Sequence, residues 1–168
     1  MYRLYLLRHA EALHIRPGGS DFDRPLTERG RQDAAALGLR MRAAGYLPSF
    51  VLCSSAARAQ QTWQEVARKL PHPPPETLYA TELYRGDAAD YRILVATSPA
   101  EESLLVVGHN PMVQELALSL ARAGDSAALS AVSAGFPAGG LAVLDLEEPL
   151  WRIAPRTGML AAFLSPRG

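Results

Sequence analysis

Three short runs, at residues 4–7, 50–53 and 104–107, are almost wholly apolar, and they constrain the fold more than anything else in the chain. None approaches the roughly 20 apolar residues that cross a membrane. None alternates apolar with polar, as a strand with one wet face does. Short runs of this kind read as strands of a sheet covered on both sides. The stretches between them carry helical spacing. Strands alternating with helices imply an α/β layered domain with a mostly parallel central sheet flanked by helices. At 168 residues, the whole span 1–168 is expected to form one such domain.

The pattern places strands at residues 2–7, 50–53 and 103–107. Thr27 is positioned to cap a helix that runs to about Ala44 and stops at Gly45. Helices are also expected over 57–70, 88–97 and 111–123, with Pro111 in the first turn of the last. Residues 13–25 hold two prolines, two glycines and mixed charge, and read as a loop. The segment PHPPPE at 71–76 excludes helix and central strand, and is a connector. Late strands are expected over 141–146, 151–153 and 159–164, the first two as a hairpin.

The 17 basic and 17 acidic residues cancel, so nothing favours nucleic acid or an anionic membrane. Cys53 is the only cysteine, which precludes an internal disulfide and leads us to expect a cytoplasmic protein. The first apolar run is shorter than the core of a signal peptide, and no small-residue cleavage site follows it.

In a parallel sheet ligands bind at the carboxyl ends of the strands. Arg8 and His9 follow the first apolar run. Ser54, Ser55 and then Arg58 follow the second, and Gly108, His109 and Asn110 follow the third. Two of the four histidines and two arginines therefore meet on one rim. Guanidinium forks suit a phosphate, and catalysis of phosphoryl transfer is largely positioning and electrostatic stabilisation. A neutral imidazole can attack phosphorus and carry the phosphoryl group covalently. Arg8 and His109 beside His9 would disfavour its cationic form. No metal or other cofactor is needed, and two arginines would repel a divalent cation.

These residues fall in blocks that resemble a known family. LLRHAEA at 6–12 resembles the RHG-type signature of the histidine phosphatase superfamily, which has the phosphoglycerate-mutase-like fold. RPLTERG at 24–30, SSAARAQQT at 54–62 and VVGHNP at 106–111 follow in matching order and spacing. The resemblance covers roughly two thirds of the chain. The short chain and DFDRPLTERGR at 21–31 are most similar to the SixA-type phosphohistidine phosphatases. Ala10 stands where the signature usually has glycine.

The resemblance implies that His9 is the nucleophile, that Arg8 and Arg58 bind phosphoryl oxygens, and that His109 holds the phosphoryl group and its transition state. It also implies an acid ahead of the second histidine, for which Glu82 is the candidate. A phosphoramidate leaving group that already carries its proton needs less of such help. Arg24 either contacts substrate or pairs with Asp21, Asp23 or Glu28. The implied activity is a phosphohistidine phosphatase acting through His9 on a phosphorylated protein. Two alternatives stay open: a broad phosphomonoesterase of small phosphorylated substrates, and a phosphate-binding module without turnover.

The best-posed rival nucleophile is Cys53. In CSSAAR, however, only four residues separate it from Arg58, and that glycine-free loop is too short to wrap an anion. A buried strand position is expected for it instead. Glu11 is expected to finish the turn, His14 and His72 to be exposed, and Trp63 and Trp151 to pack.

Overall fold

The computed structural model describes residues 1–166. In it the chain builds one seven-stranded sheet: β1 (Tyr2–Arg8), β2 (Phe50–Ser54), β3 (Glu76–Ala80), β4 (Ser103–Gly108), β5 (Ala121–Gly124), β6 (Leu141–Leu146) and β7 (Gly158–Leu164), in the order β3-β2-β4-β1-β6-β7-β5. Only β6 runs against the others, pairing antiparallel with both β1 and β7. The helices are α1 (Glu28–Ala44), α2 (Ala57–Ala67), α3 (Glu82–Arg85), α4 (Ala88–Thr97), α5 (Met112–Leu120) and α6 (Ser126–Ala134).

Alternate residues of the central strands point to opposite faces, as the pleat requires. Leu4 and Leu6 of β1 join Leu104 and Val106 of β4 in one core, covered by Tyr91, Val95, Val113, Leu116 and Val132 from α4, α5 and α6. Tyr5 and Leu7 join Leu105 and Val107 in the other, covered by Leu37 and Met41 of α1 and Trp63 and Val66 of α2. That two-sided burial is why the apolar runs show no alternation. Thr27 caps α1, its hydroxyl accepting the Gly30 N–H at 2.9 Å, and Gly45 closes that helix as expected.

The chain leaves β1 toward β2 on one side of the sheet and leaves β4 toward β5 at the opposite edge. The carboxyl ends of β1 and β4 therefore flank a topological switch point, where crevices open in such sheets. These strands end level, with Arg8 opposite Gly108 and the His9 N–H donating to the Gly108 carbonyl at 3.0 Å.

Several elements differ from the sequence reading. The helix expected to reach residue 70 ends at Ala67, and the one expected to reach 123 ends at Leu120. Residues 121–124 leave it to pair with β7. Residues 151–153 are not a strand. Leu150–Arg152 forms a 3-10 turn that leaves Trp151 69% exposed with Arg152 above its ring, so the hairpin partner of β6 is β7. Trp63 does pack, its indole N–H donating to the Thr77 hydroxyl at 2.9 Å. β3, α3 and α6 have no counterpart in the sequence reading.

Candidate active site

Arg8, His9, Arg58 and His109 converge on one open cleft of about 560 Å³ at the switch point. His9 and His109 follow β1 and β4, with ring centroids 5.2 Å apart. Arg58 lies in the first turn of α2 and is 6% exposed. Thr62, one turn further on, holds the two halves together: its hydroxyl donates to the Arg58 carbonyl at 2.7 Å and accepts the Ala10 N–H at 3.0 Å. Ala10 itself is wholly buried, so its methyl is part of the core beneath the site.

The His9 ring is held at both nitrogens. Nδ1 lies 2.8 Å from the Ala10 carbonyl, which can only accept, so Nδ1 carries the proton. Nε2 then bears the lone pair and accepts from Arg58 Nε–H at 3.3 Å. Burial pushes the His9 pKa down to about 3 against the opposing hydrogen bond to the Ala10 carbonyl, and the guanidinium charges of Arg58 and Arg8 push it down further. The neutral form expected from the sequence is thus favoured first by desolvation and only second by cationic neighbours. His109 is depressed to about 4, again mainly by burial and then by Arg58.

Arg58 extends its outer edge toward the loop at 13–25. One terminal nitrogen donates to the Asp21 backbone carbonyl at 2.8 Å and the other to Asp21 Oδ2 at 3.1 Å. The same carboxylate accepts from Arg24 at 2.9 Å and from the Tyr84 hydroxyl at 2.8 Å, and these donors, Arg24 foremost, lower its pKa to about 2. Arg24 therefore lines the cleft and also makes the ion pair with Asp21 that was one of its two readings. Arg8 reaches the Phe136 carbonyl at 2.8 Å, while its buried Nε has no partner among the described residues.

Glu82 is exposed at the start of α3 and is not among the residues lining the cleft. Its neighbours Tyr84 and Arg85 line it instead. Cys53 is fully buried in the core on the α1–α2 side, and burial raises its thiol pKa, so it holds its proton away from the cleft. Glu11 turns the chain, its carbonyl accepting the Thr27 N–H at 3.0 Å. His14 and His72 are exposed. Asp21, Tyr84, Arg85 and Ser54 are site contributors that sequence reasoning gave no role there. Asp21 entered it only as a partner for Arg24, Ser54 only as a strand end, and Tyr84 carried no signal beyond two residues' distance from Glu82.

The arrangement surrounds a space with donors: two arginine forks and two neutral imidazoles, with Arg24 and Arg85 at the mouth. It can hold a tetrahedral dianion in front of a nitrogen lone pair. The fold and this ring of donors define a protein suited to holding a phosphoryl group. Residues 4–92 match the family model of the histidine phosphatase superfamily (branch 1), and the chain belongs to that superfamily and is a phosphatase. It is 34% identical over 167 residues to an uncharacterised protein of Mycobacterium tuberculosis, covering 96% of this chain and all of that one. Among solved structures, it superposes on a protein assigned as the phosphohistidine phosphatase SixA of Agrobacterium tumefaciens with a TM-score of 0.82, at 34% identity over 98% of both chains. A protein of the same assignment from Nakamurella multipartitia superposes with a TM-score of 0.84, at 31% identity over 99% of this chain and 97% of that one. No helix among the described residues is long and apolar enough to cross a membrane.

Proposed function

We propose that this enzyme is a phosphohistidine phosphatase that takes the phosphoryl group of a partner protein's phosphohistidine onto His9 and releases it to water. The observation that carries the reading is the His9 ring, pinned with Nδ1–H on the Ala10 carbonyl and Nε2 free of a proton. In the first step the Nε2 lone pair forms the new P–N bond as the substrate's P–N bond breaks. The leaving imidazole departs neutral because its other ring nitrogen already carries a proton. Arg8, Arg58 and His109 take the phosphoryl oxygens. Phosphorylated His9 keeps its Nδ1–H. In the second step water attacks phosphorus as the P–N bond to His9 breaks, His9 leaves as neutral imidazole, and both of the water's hydrogens stay with the phosphate product.

Three features support a phosphoramidate substrate on a protein. The two SixA-assigned neighbours above share about a third of their residues with this chain. Among the described residues no protonated carboxylic acid lines the cleft: Asp21 is ionised and Glu82 is not part of the lining. An alkoxide leaving group needs that acid, whereas a protonated phosphoimidazole does not. The β3–β4 connection is spent on α3 and α4, leaving the cleft open enough to admit a side chain on a folded protein. A phosphorelay or phosphotransferase component in the cytoplasm is the partner class we place there. Turnover of a phosphohistidine protein, compared with that of small phosphomonoesters, tests the reading. We expect clear preference for the protein. Strong preference for a sugar or glycerate phosphate would make it a small-molecule phosphomonoesterase, and binding of both without turnover would make it a phosphate-binding module.

A further inference from the structure

We infer that Ser54 is the positioning residue that fixes His109 as its Nδ1–H tautomer, so that this N–H is the donor His109 offers to the phosphoryl group. The inference rests on reading the cleft as a phosphoryl-transfer site, and it assigns a role to a residue outside the reacting shell. Ser54, the last residue of β2, is fully buried, and its hydroxyl lies 2.8 Å from His109 Nε2. A serine hydroxyl has one hydrogen and two acceptor positions. The Ala56 N–H fills one acceptor position at 3.2 Å. His109 Nε2 is the one acceptor within reach of the hydroxyl hydrogen among the described bonds. A buried donor left unpaired is costly. The hydroxyl therefore donates to a bare Nε2, and the ring proton sits on Nδ1. The opposite tautomer would strand the hydroxyl hydrogen and turn an Nδ1 lone pair toward an anionic oxygen.

The backbone beneath the ring is held just as firmly. The His109 N–H donates to the Tyr91 hydroxyl at 3.1 Å, and that hydroxyl donates in turn to the Leu83 carbonyl. Tyr91 can approach because the preceding residue is Gly108: a Cβ there would lie 2.7 Å from the tyrosine oxygen. With the backbone fixed by Tyr91 and Nε2 fixed by Ser54, Nδ1 is the nitrogen left for the cleft.

Nitrogen-15 NMR of histidine-labelled full-length protein reads the tautomer directly and needs no turnover, so its result is separate from whether His9 is phosphorylated. Wild-type His109 should be the Nδ1–H tautomer, and Ser54→Ala should lose that single state. Against a phosphohistidine protein, Ser54→Ala should lower kcat about 100-fold, as expected for a misdirected donor, with KM within about twofold. In a His109→Ala background the same change should add less than about twofold, because the two residues act as one unit. An Nε2–H tautomer in the wild type would overturn the inference, as would full additivity with His109→Ala. If Ser54→Ala does not fold, the wild-type tautomer decides alone.

Discussion

Desolvation does more for His9 than its cationic neighbours do, and this has a cost in acid. The pKa values of His9 and His109 fall from 6.5 in an unfolded chain to about 3 and about 4 in the native protein. Between those values the unfolded chain binds more protons than the native one, so stability must rise with pH across that window. It is fully present above about pH 6.5 and drains away as pH falls toward 4, at up to about 1.4 kcal/mol per pH unit for each histidine. Denaturant titrations at pH 7.5, 5.5 and 4.5 should show this slope, and His109→Gln should flatten it. Asp21 behaves oppositely to a buried histidine in charge but not in direction: its depressed pKa favours the folded state above the usual carboxylate range and loses that effect as pH falls toward 2. Because this carboxyl is 39% exposed, its worth to stability is small. Its worth to the site is larger, since it anchors Arg58. Asp21→Asn should leave the melting temperature nearly unchanged yet lower kcat/KM by roughly 10-fold. Cys53→Ser should retain turnover.

At the scale of elements, one motif glycine explains itself by close approach. Gly30 packs α1 against the chain just past β1, where an added Cβ would lie 2.2 Å from the Glu11 carbonyl oxygen. Neither backbone can move without shifting the loop that carries Asp21. Gly30→Ala should therefore destabilise the fold by about 1–3 kcal/mol in chemical denaturation, and lower activity further than stability alone explains. The elements legible in the sequence are those with a strong period, a clear cap or a proline at the first turn: the three apolar strands, capped α1, α2, α4, α5, β6 and β7. Those that were not legible lack such signals. β3 is an edge strand of mixed polarity with Leu78 and Tyr79 exposed, so its pattern does not mark a core. α6 is built from small residues and buries only Ala128 and Val132. β5 continues a helical sequence and becomes a strand only because β7 offers it a partner, a choice made by tertiary pairing over local propensity.

For the whole molecule, strand order decides what the sequence alone could not. Arg8, His9, Arg58 and His109 are readable in advance because each sits just past a strand in a recurring block, and parallel strands bring their ends to one rim. Asp21, Tyr84 and Ser54 are not, because their roles arise only when the 13–25 loop, α3 and the β2 end close around that rim. Glu82 shows the limit of reasoning by position: two residues separate it from Tyr84, and one helical turn directs Tyr84 into the cleft and leaves Glu82 outside. The central claim is that this assembly delivers a phosphoryl group to one nitrogen. Rapid quenching of the enzyme during turnover of a radiolabelled phosphohistidine protein, followed by peptide mapping, tests it most directly. The account predicts acid-labile label on His9, absent from His9→Ala. Label on any other residue, or turnover by His9→Ala, would contradict it.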